Sequence, residues 1–273
     1  MLDLHIHSNY SPDSATPMEE IARKAIAEEL LAVAFTEHVD FDLVSRPEQK
    51  PLDLASYYNN FCTVEEEYGN KGTDFLFGIE LGLLNYASEK NKELVTSAPF
   101  DIIIGSTHGL YNLDISRNKM LKWVSPEIRI VDYYREIWSN LITFNDIDTF
   151  GHLDYIDRFF SGEARVPDYN IYKLGAETVL KQLIAKDIAL EVNTAGMRKT
   201  IGYAHPKDEL LLLYKKLGGE MITIGSDAHR AIDVGRGIQE ALLHLKELGF
   251  KSVVSFKKRK PVEWGIIDLI NRY

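Results

Sequence analysis

The chain has a single cysteine, Cys62, among its 273 residues. One cysteine excludes an intramolecular disulfide and a thiolate-rich zinc site, so any bound metal ion must be held by histidine, aspartate or glutamate. The lack of a disulfide is typical of a reducing, intracellular compartment. We expect Cys62 itself to be a small buried apolar residue.

Long apolar runs are also missing. No stretch approaches the roughly 20 apolar residues that a membrane span needs. The N-terminus lacks the basic segment followed by an apolar segment that marks a secretory signal. We therefore expect a cytoplasmic protein with no membrane partner.

Cationic residues are fewer than anionic ones, with 31 Lys and Arg against 41 Asp and Glu, and the formal net charge is −10. A long nucleic acid is therefore an unfavourable partner, because no excess of cations displaces its counterions. A local basic pocket could still bind one small anion. The basic run KKRKP at 257–261 is expected to be a solvated face.

Seven short, largely apolar runs are separated by stretches with helical periodicity. The runs span 2–7, 30–38, 75–81, 100–108, 148–154, 188–194 and 221–229, and the helical patterns include 17–30, 131–144, 172–186 and 208–218. Such runs predict a parallel sheet that is covered on its outer face. Each run carries a carboxylate or imidazole at or near its C-terminal end. Because closing the sheet would gather these ends at one mouth, we predict a single α/β domain over 1–273, a (β/α) barrel of about seven strands rather than an open doubly wound sheet.

Two pairs of polar residues lie near opposite ends of the chain. His5 and His7 alternate with apolar residues, so both point to the same side of the first strand and can chelate one cation. Asp227 and His229 have the same spacing on the last run. A His-x-His pair alone more often lies on the surface or in the core without binding a metal. The second pair favours a metal site, because the first and last strands of a closed barrel are neighbours and would bring the two pairs together.

Most of the histidines lie at the ends of predicted strands. With three carboxylates they form a set of nine candidate ligands, namely His5, His7, Asp13, His38, Glu80, His108, His152, Asp227 and His229. Imidazole and carboxylate without thiolate favour Zn, Mn, Fe or Co over Mg or Ca. One ion takes about four protein ligands, so nine imply two or three divalent transition-metal ions that share carboxylates.

Six motifs in this order resemble the PHP family, named for polymerase and histidinol phosphatase. They are H-x-H at 5–7, T-E-H at 36–38, G-I-E at 78–80, S-T-H at 106–108, G-H-L-D at 151–154 and S-D-A-H at 226–229. The resemblance implies a distorted (β/α)7 TIM-like barrel, the PHP fold, with a trinuclear metal site. It implies one ion held by His5, His7, Glu80 and Asp227, a second held by His108 and His152 with Glu80 as the bridge, and a third held by Asp13, His38 and His229. Many members carry histidine in place of Asp13, which in S-P-D-S could equally be a turn residue that binds its own backbone.

Two further segments, G-H-L-D-Y-I-D-R-F at 151–159 and E-V-N-T-A-G-M-R-K at 191–199, are similar to the histidinol-phosphate phosphatase branch of the family. Arg158 and Arg198 are therefore expected to bind phosphate, since guanidinium meets phosphate oxygens with two parallel hydrogen bonds. The alternative is an ion pair with a nearby carboxylate, which for Arg158 would be Asp154 or Asp157. Glu191 and Asn193 share one face of a strand, where they could contact the substrate or serve a structural role.

The resemblance implies a metal-dependent phosphomonoesterase of histidine biosynthesis. The expected reaction is hydrolysis of L-histidinol phosphate to L-histidinol and phosphate, through attack of a metal-bridging hydroxide on phosphorus. The candidate catalytic residues are Asp227, as proton acceptor, His229, Arg158 and Arg198. The alternatives are a nucleotide phosphodiesterase or exonuclease and, from another class, a metal-stabilised binding barrel. We expect His205 to be a loop histidine without a specific role and His244 to be an ordinary helix residue.

Overall fold

The structure is a computed structural model that describes residues 1–41, 43, 51–117, 123–160 and 165–272. The described strands are β1 (Leu2–Ile6), β2 (Ala32–Val39), β3 (Asp74–Gly82), β4 (Ile102–Ser106), β5 (Gly109–Leu110), β6 (Leu113–Asp114), β7 (Thr149–Phe150), β8 (Ala189–Asn193), β9 (Ile222–Gly225), β10 (Ser252–Lys257) and β11 (Lys260–Gly265). The described α-helices are α1 (Met18–Ala27), α2 (Leu54–Tyr68), α3 (Ser88–Thr96), α4 (Pro126–Thr143), α5 (Tyr169–Ala185), α6 (Asp208–Lys216), α7 (Ile238–Glu247) and α8 (Ile266–Ile270). In this part of the chain, no helix is long and apolar enough to cross a bilayer.

Seven parallel strands form a nearly closed barrel in the order β1-β2-β3-β4-β7-β8-β9. The two ends of this sheet meet where the backbone N–H of His7 donates to Ala228 O at 2.9 Å and that of Asp227 donates to His5 O at 2.8 Å. Gly225 permits the close approach, because a Cβ there would lie 2.3 Å from the Cβ of His5. The predicted barrel of seven strands is confirmed, and its first and last strands are neighbours.

The barrel strands are buried on both faces, as their continuous apolar runs predict. All eight residues of β2 are buried, and they pair in an unbroken register with β3. Helix α1 covers the sheet with residues at helical spacing, Met18, Ile21, Ala22 and Ala25. The pairing of β7 with β4 and with β8 is only two residues long, so the barrel is distorted on that side.

The four helical patterns taken from the sequence correspond to α1, α4, α5 and α6. His244 lies exposed on α7, as expected of an ordinary helix residue. The prediction for Cys62 is wrong, because its side chain is exposed. Helix α2 packs its opposite face, including Phe61 and Val64, against the barrel.

The hairpin of β10 and β11 covers the N-terminal end of the barrel, and its turn contains the basic run. Arg259 Nε donates to Asp148 Oδ2 at 2.5 Å, and the backbone N–H of Lys258 donates to Asp101 Oδ1 at 2.8 Å. Lys257 Nζ contacts Asp74 at 3.1 Å. The prediction of a solvated face is therefore wrong for Lys257 and Arg259, because carboxylates at the starts of β3, β4 and β7 bind them.

Candidate metal centre

Glu80 lies at the centre of the C-terminal mouth of the barrel, on β3, and is fully buried. Its two oxygens face five imidazoles. Oε1 lies 2.8 Å from His152 Nε2 and 3.3 Å from His108 Nε2, and Oε2 lies 2.7 Å from His38 Nδ1, 3.3 Å from His5 Nε2 and 3.6 Å from His7 Nε2.

The remaining candidate ligands lie beside this cluster. Asp227 Oδ1 is 3.5 Å from His7 Nε2 and 3.6 Å from His229 Nδ1. Asp13 contacts His38 Nε2 at 3.5 Å and His229 Nε2 at 3.3 Å. Contacts of Asp13 with two imidazoles favour the ligand alternative over the turn alternative. The structure thus brings all nine candidate residues together.

Four subsets place their ligand atoms within 4.8 Å of one another. They are His5, His7 and Glu80; Glu80, His108 and His152; His7, His38 and His229; and His38, Asp40 and His108. The first two agree with two of the ligand sets that the family resemblance implies. Asp40 was missed in the sequence, although it follows His38 at the same i, i+2 spacing as the other pairs.

Several of the imidazoles are oriented by oxygen partners on their outer side. His5 Nδ1 lies 2.5 Å from Glu191 Oε1, and His108 Nδ1 lies 2.9 Å from Asp40 Oδ1. His7 Nδ1 lies 3.0 Å from Ser11 Oγ, whose hydroxyl donates to Glu37 at 2.5 Å. Such partners fix the tautomer and ring orientation of metal-binding histidines, and here they direct Nε2 towards the centre.

Buried polar atoms without hydrogen-bond partners show that the cluster fits a cation. Among the described residues, His152 Nδ1 has none, and Glu80 Oε2 and His38 Nδ1 lie 2.7 Å apart without the geometry of a hydrogen bond. The Nε2 atoms of His5 and His7 lie only 3.1 Å apart. An unsatisfied buried group costs about 1–3 kcal/mol, and a divalent ion among these atoms would remove that cost. The donor set of imidazole and carboxylate suits borderline ions such as zinc.

The charges of the cluster compensate one another. Burial would raise the pKa of Glu80, but His5, His108 and His38 hold it well below its usual range. Burial would lower the pKa of His108, but Asp40 and Glu80 raise it to about 9. The centre is therefore an array of opposed charges, in which a bound metal ion would take the place of the imidazole protons.

The segments that follow β7 and β9 each contain a residue in a strained conformation. Asp227 has φ of 53° and His152 has φ of 24°, both in the left-handed region. Asp3, buried below, accepts hydrogen bonds from Ser226 N and Gly235 N, each at 2.7 Å. Such strain persists only where the surroundings impose it, and it clusters at functional sites.

The cluster opens into a cavity of about 950 Å³ that Arg158 and Arg198 line. Arg158 Nη2 lies 3.5 Å from Asp227 Oδ2, so Asp227 rather than Asp154 or Asp157 is its nearby carboxylate. Arg198 Nη2 donates to Ser226 O at 2.6 Å, whereas its Nη1 is buried and has no partner in the described part of the chain. Further cations on the wall are Arg117, Lys199, Arg230 and Arg236.

Glu191 and Asn193 lie behind the histidines and are not part of the cavity wall. Glu191 Oε2 accepts from His152 N at 2.8 Å, and its Oε1 contacts His5. Asn193 Oδ1 accepts from Ala195 N at 3.0 Å. This geometry favours the structural alternative for both residues, and a contact with substrate stays a prediction.

His205 is the residue whose place sequence reasoning missed most clearly. It is fully buried and accepts a hydrogen bond from Arg158 Nε at 2.8 Å. Its segment, Y-A-H-P-K, carries no local pattern that marks this contact.

A parallel barrel whose mouth gathers imidazoles and carboxylates below an arginine-lined cavity defines a class, that of barrels with a candidate metal centre at the C-terminal mouth. A family profile for the PHP domain matches residues 3–195, and the chain belongs to the PHP family. This confirms the resemblance carried by the six motifs.

Individual relatives extend the likeness to the whole chain. A probable histidinol-phosphatase of Clostridium acetobutylicum is 29% identical over 263 residues, which cover 95% of this chain and 98% of that protein. The histidinol-phosphatase of Lactococcus lactis subsp. lactis is 31% identical over 271 residues and 95% of each chain.

Solved structures agree with the fold. The crystal structure of histidinol phosphate phosphatase from Lactococcus lactis, complexed with zinc, L-histidinol and phosphate, has a TM-score of 0.86, 26% sequence identity, and coverage of 96% of this chain and 98% of that chain. A putative histidinol phosphatase from Listeria monocytogenes has a TM-score of 0.75, 18% identity, and coverage of 88% and 99%. The latter likeness concerns the fold alone.

Proposed function

We propose that this protein is a metal-dependent phosphomonoesterase that hydrolyses L-histidinol phosphate to L-histidinol and phosphate. The observation that carries the proposal is the meeting, in one cavity, of the Glu80-centred histidine cluster and two arginines, one with an unpartnered buried Nη1. The similar Lactococcus lactis protein holds zinc, L-histidinol and phosphate, which supports the same chemistry for this chain.

The proposed metal ligands are the nine residues expected from the sequence, with Glu80 as the shared carboxylate and Asp40 as the outer partner of His108. Two or three divalent transition-metal ions would be held, with zinc as the first candidate because the relative binds it. When bound, such ions would activate a water molecule as the nucleophile and neutralise charge on the phosphoryl oxygens.

Arg158 and Arg198 are the proposed phosphate-binding residues. Their guanidinium groups lie on the wall of the cavity and are partly fixed by Asp227 and by the Ser226 carbonyl. Fixed donors lose little freedom when an anion binds and act on the charge that develops in the transition state. The free Nη1 of Arg198 gives this anion one donor that nothing else in the described chain uses.

Asp227 is the proposed proton acceptor. Burial would raise the pKa of Asp227, but His7 and His5 hold it well below its usual range, so the carboxylate is ionised. It can take a proton from the attacking water and return it to the leaving alkoxide of histidinol. His229 lies beside it, with Nδ1 3.6 Å from Asp227 Oδ1, and remains both a catalytic and a ligand candidate.

The test is release of phosphate from L-histidinol phosphate by the purified protein, before and after metal removal and restoration. We expect turnover that is lost with the metal and regained with zinc or manganese, and Asp227→Asn should abolish it without changing the fold. A nitrophenyl ester of a nucleotide, a phosphodiester, serves as the control substrate. Preference for the diester would overturn the substrate assignment, and no turnover of either would favour the binding barrel.

The remaining expectations stay predictions. They are the cytoplasmic location, the absence of a long nucleic acid as partner, and the assignment of residues 1–273 to one domain. The oligomeric state is left to measurement.

A further inference from the structure

Arg158 is held from behind by a buried histidine. Its Nε donates to His205 Nε2 at 2.8 Å. Arginine has donors only and stays protonated in proteins, so His205 Nε2 must be the acceptor. The imidazole is therefore neutral, with its proton on Nδ1.

The other side of His205 meets a carboxylate that suits this tautomer. Nδ1 lies 2.5 Å from Asp154 Oδ1, and both side chains are fully buried. Asp154 Oδ2 accepts in turn from Lys207 N at 2.9 Å, so the carboxylate is itself fixed. The chain of contacts runs from Asp154 through His205 to Arg158.

The segment that carries His205 is anchored at every second residue. Tyr203 donates its hydroxyl to Asp157 at 2.9 Å, and Lys207 forms an ion pair with the same carboxylate. Between them, the backbone of His205 exchanges hydrogen bonds with Asn193 at 2.7 and 2.8 Å. The imidazole therefore has little freedom to move away from Arg158.

This support leaves one end of Arg158 directed at the site. Its Nη2 lies 3.5 Å from Asp227 Oδ2 and 3.5 Å from Asn193 Oδ1, and the guanidinium carbon lies 4.9 Å from the centre of the Tyr155 ring. Without His205, the guanidinium would keep, among the described residues, these long polar contacts and the ring alone.

We propose that His205, with its tautomer set by Asp154, is a positioning residue that holds Arg158 in the orientation that binds the phosphoryl group. This inference rests on the proposed function, in which Arg158 binds phosphate. His205 itself touches neither substrate nor metal ligand in this scheme and acts only through Arg158.

Electrostatics agree with a neutral imidazole. Burial lowers the pKa of His205, although Asp154 opposes this, and the Arg158 charge lowers it further. A protonated imidazole would place a second cation against the guanidinium and remove its acceptor.

The test is a double-mutant cycle on binding of inorganic phosphate to the zinc-loaded protein, measured by calorimetry. The four proteins are the wild type, His205→Ala, Arg158→Ala and the double variant. We expect His205→Ala to weaken phosphate binding roughly 10- to 100-fold, the range for loss of a hydrogen bond to a charged group. The double variant should bind no more weakly than Arg158→Ala, because His205 has nothing left to position.

Two more variants separate positioning from general support of the fold. His205→Gln keeps a side-chain acceptor and should recover part of the affinity, whereas Asp154→Asn should lose affinity by disturbing the tautomer. His244→Gln, at an exposed helix position, is the matched control and should behave as wild type. Zinc content and unfolding temperature are measured for each variant, and if His205→Ala does not fold, the cycle is run with His205→Gln.

The outcomes are distinct. Unchanged phosphate affinity in a folded His205→Ala protein, or losses that multiply in the double variant, would overturn the inference and leave the proposed function intact. A wild-type protein that binds no phosphate would overturn both. Turnover of a monoester other than L-histidinol phosphate would change the substrate but not the role of His205.

Discussion

Both ends of the barrel crowd buried carboxylates together, but the two ends use them differently. At the N-terminal end, Asp148 accepts from Ile103 N at 2.7 Å and from Arg259 at 2.5 Å, and Asp101 accepts from Phe77 N at 3.1 Å and from Lys258 N. At the mouth, Glu80 faces five imidazoles and its Oε2 has no hydrogen-bond partner among the described residues.

This difference separates a structural carboxylate from one prepared for a ligand. Backbone N–H groups and a guanidinium give Asp101 and Asp148 their hydrogen-bond partners, so these residues close the end of the barrel without a ligand. The mouth leaves donor atoms unsatisfied and carries strained backbone at Asp227 and His152. The mouth thus has the form of a site for charged ligands, whereas the chain itself satisfies the carboxylates of the N-terminal end.

Replacing Glu80 tests the mouth most severely. Glu80→Gln removes the carboxylate that all five imidazoles share and should lower turnover at least about 1000-fold, the loss of several kcal/mol of charge stabilisation. Activity and bound metal are measured on protein whose circular dichroism spectrum matches wild type. Near-normal turnover in Glu80→Gln would show that Glu80 matters no more for the reaction than the carboxylates of the N-terminal end.

Replacing Asp148 should lower the stability of the fold and leave turnover nearly unchanged. Asp148→Ala deprives Ile103 N and Arg259 of their acceptor and should reduce the free energy of unfolding by about 2–4 kcal/mol, with turnover at 25 °C little changed. Urea unfolding of the two proteins measures the loss. Asp146→Ala, which removes one exposed partner of Arg259, is the control and should cost less than about 1 kcal/mol. A large fall in turnover in folded Asp148→Ala would contradict the division between the ends.

Glu191 combines features of both ends, since it lies at the mouth but both of its oxygens have hydrogen-bond partners. Glu191→Gln weakens the orientation of His5 and should lower metal affinity about 10- to 100-fold, the usual effect of losing an outer partner of a ligand. Competition with a chelator gives the affinity. Glu177→Gln, at an exposed position of α5, should leave it unchanged, and equal affinities of all three proteins would remove Glu191 from the support of the centre.

The smallest expected effect is a pH dependence at His205. Its pKa in the fold lies below the ordinary 6.5, so as pH falls below 6.5 the unfolded chain takes up the proton first and the folded state loses stability. Relative to His205→Gln, the metal-free wild type should therefore lose up to about 1.4 kcal/mol per pH unit below 6.5. Urea unfolding at pH 7.5, 6.5 and 5.5 measures this loss of stability. The titratable and charged neighbours of His205 are Asp154, Arg158 and His152. A difference that is constant across this range would show that His205 is not held neutral.

The sequence was sufficient to predict the barrel and the nine residues at its mouth, because both produce local patterns in the sequence. A buried parallel strand has a continuous apolar run, and polar residues at several strand ends meet once the sheet closes. His5, Glu80 and Asp227 each lie in such a pattern. The meeting of His5 with Asp227 could then be predicted, because the first and last strands of a closed barrel are neighbours.

The failures concern what covers a residue from far along the chain. The exposure of Cys62, Lys257 and Arg259 was predicted wrongly because α2 and the terminal hairpin have no local signature of the side they bury. His205 was given no role because its contacts, Asp154 and Arg158, lie about 50 residues earlier. Glu37 was missed for the same reason, since only the folded backbone brings it to Ser11, the outer partner of His7.

The closure of β1 on β9 also has a consequence for biosynthesis. The hydrogen bond from Ser226 N to Asp3 spans 223 residues, nearly the whole chain. While the protein is being made, His5 and His7 leave the ribosome early, and Asp227 and His229 follow only after all seven barrel strands. A chain cut before residue 227 lacks one side of the cluster, so the mouth is assembled only once the ribosome has passed these two residues.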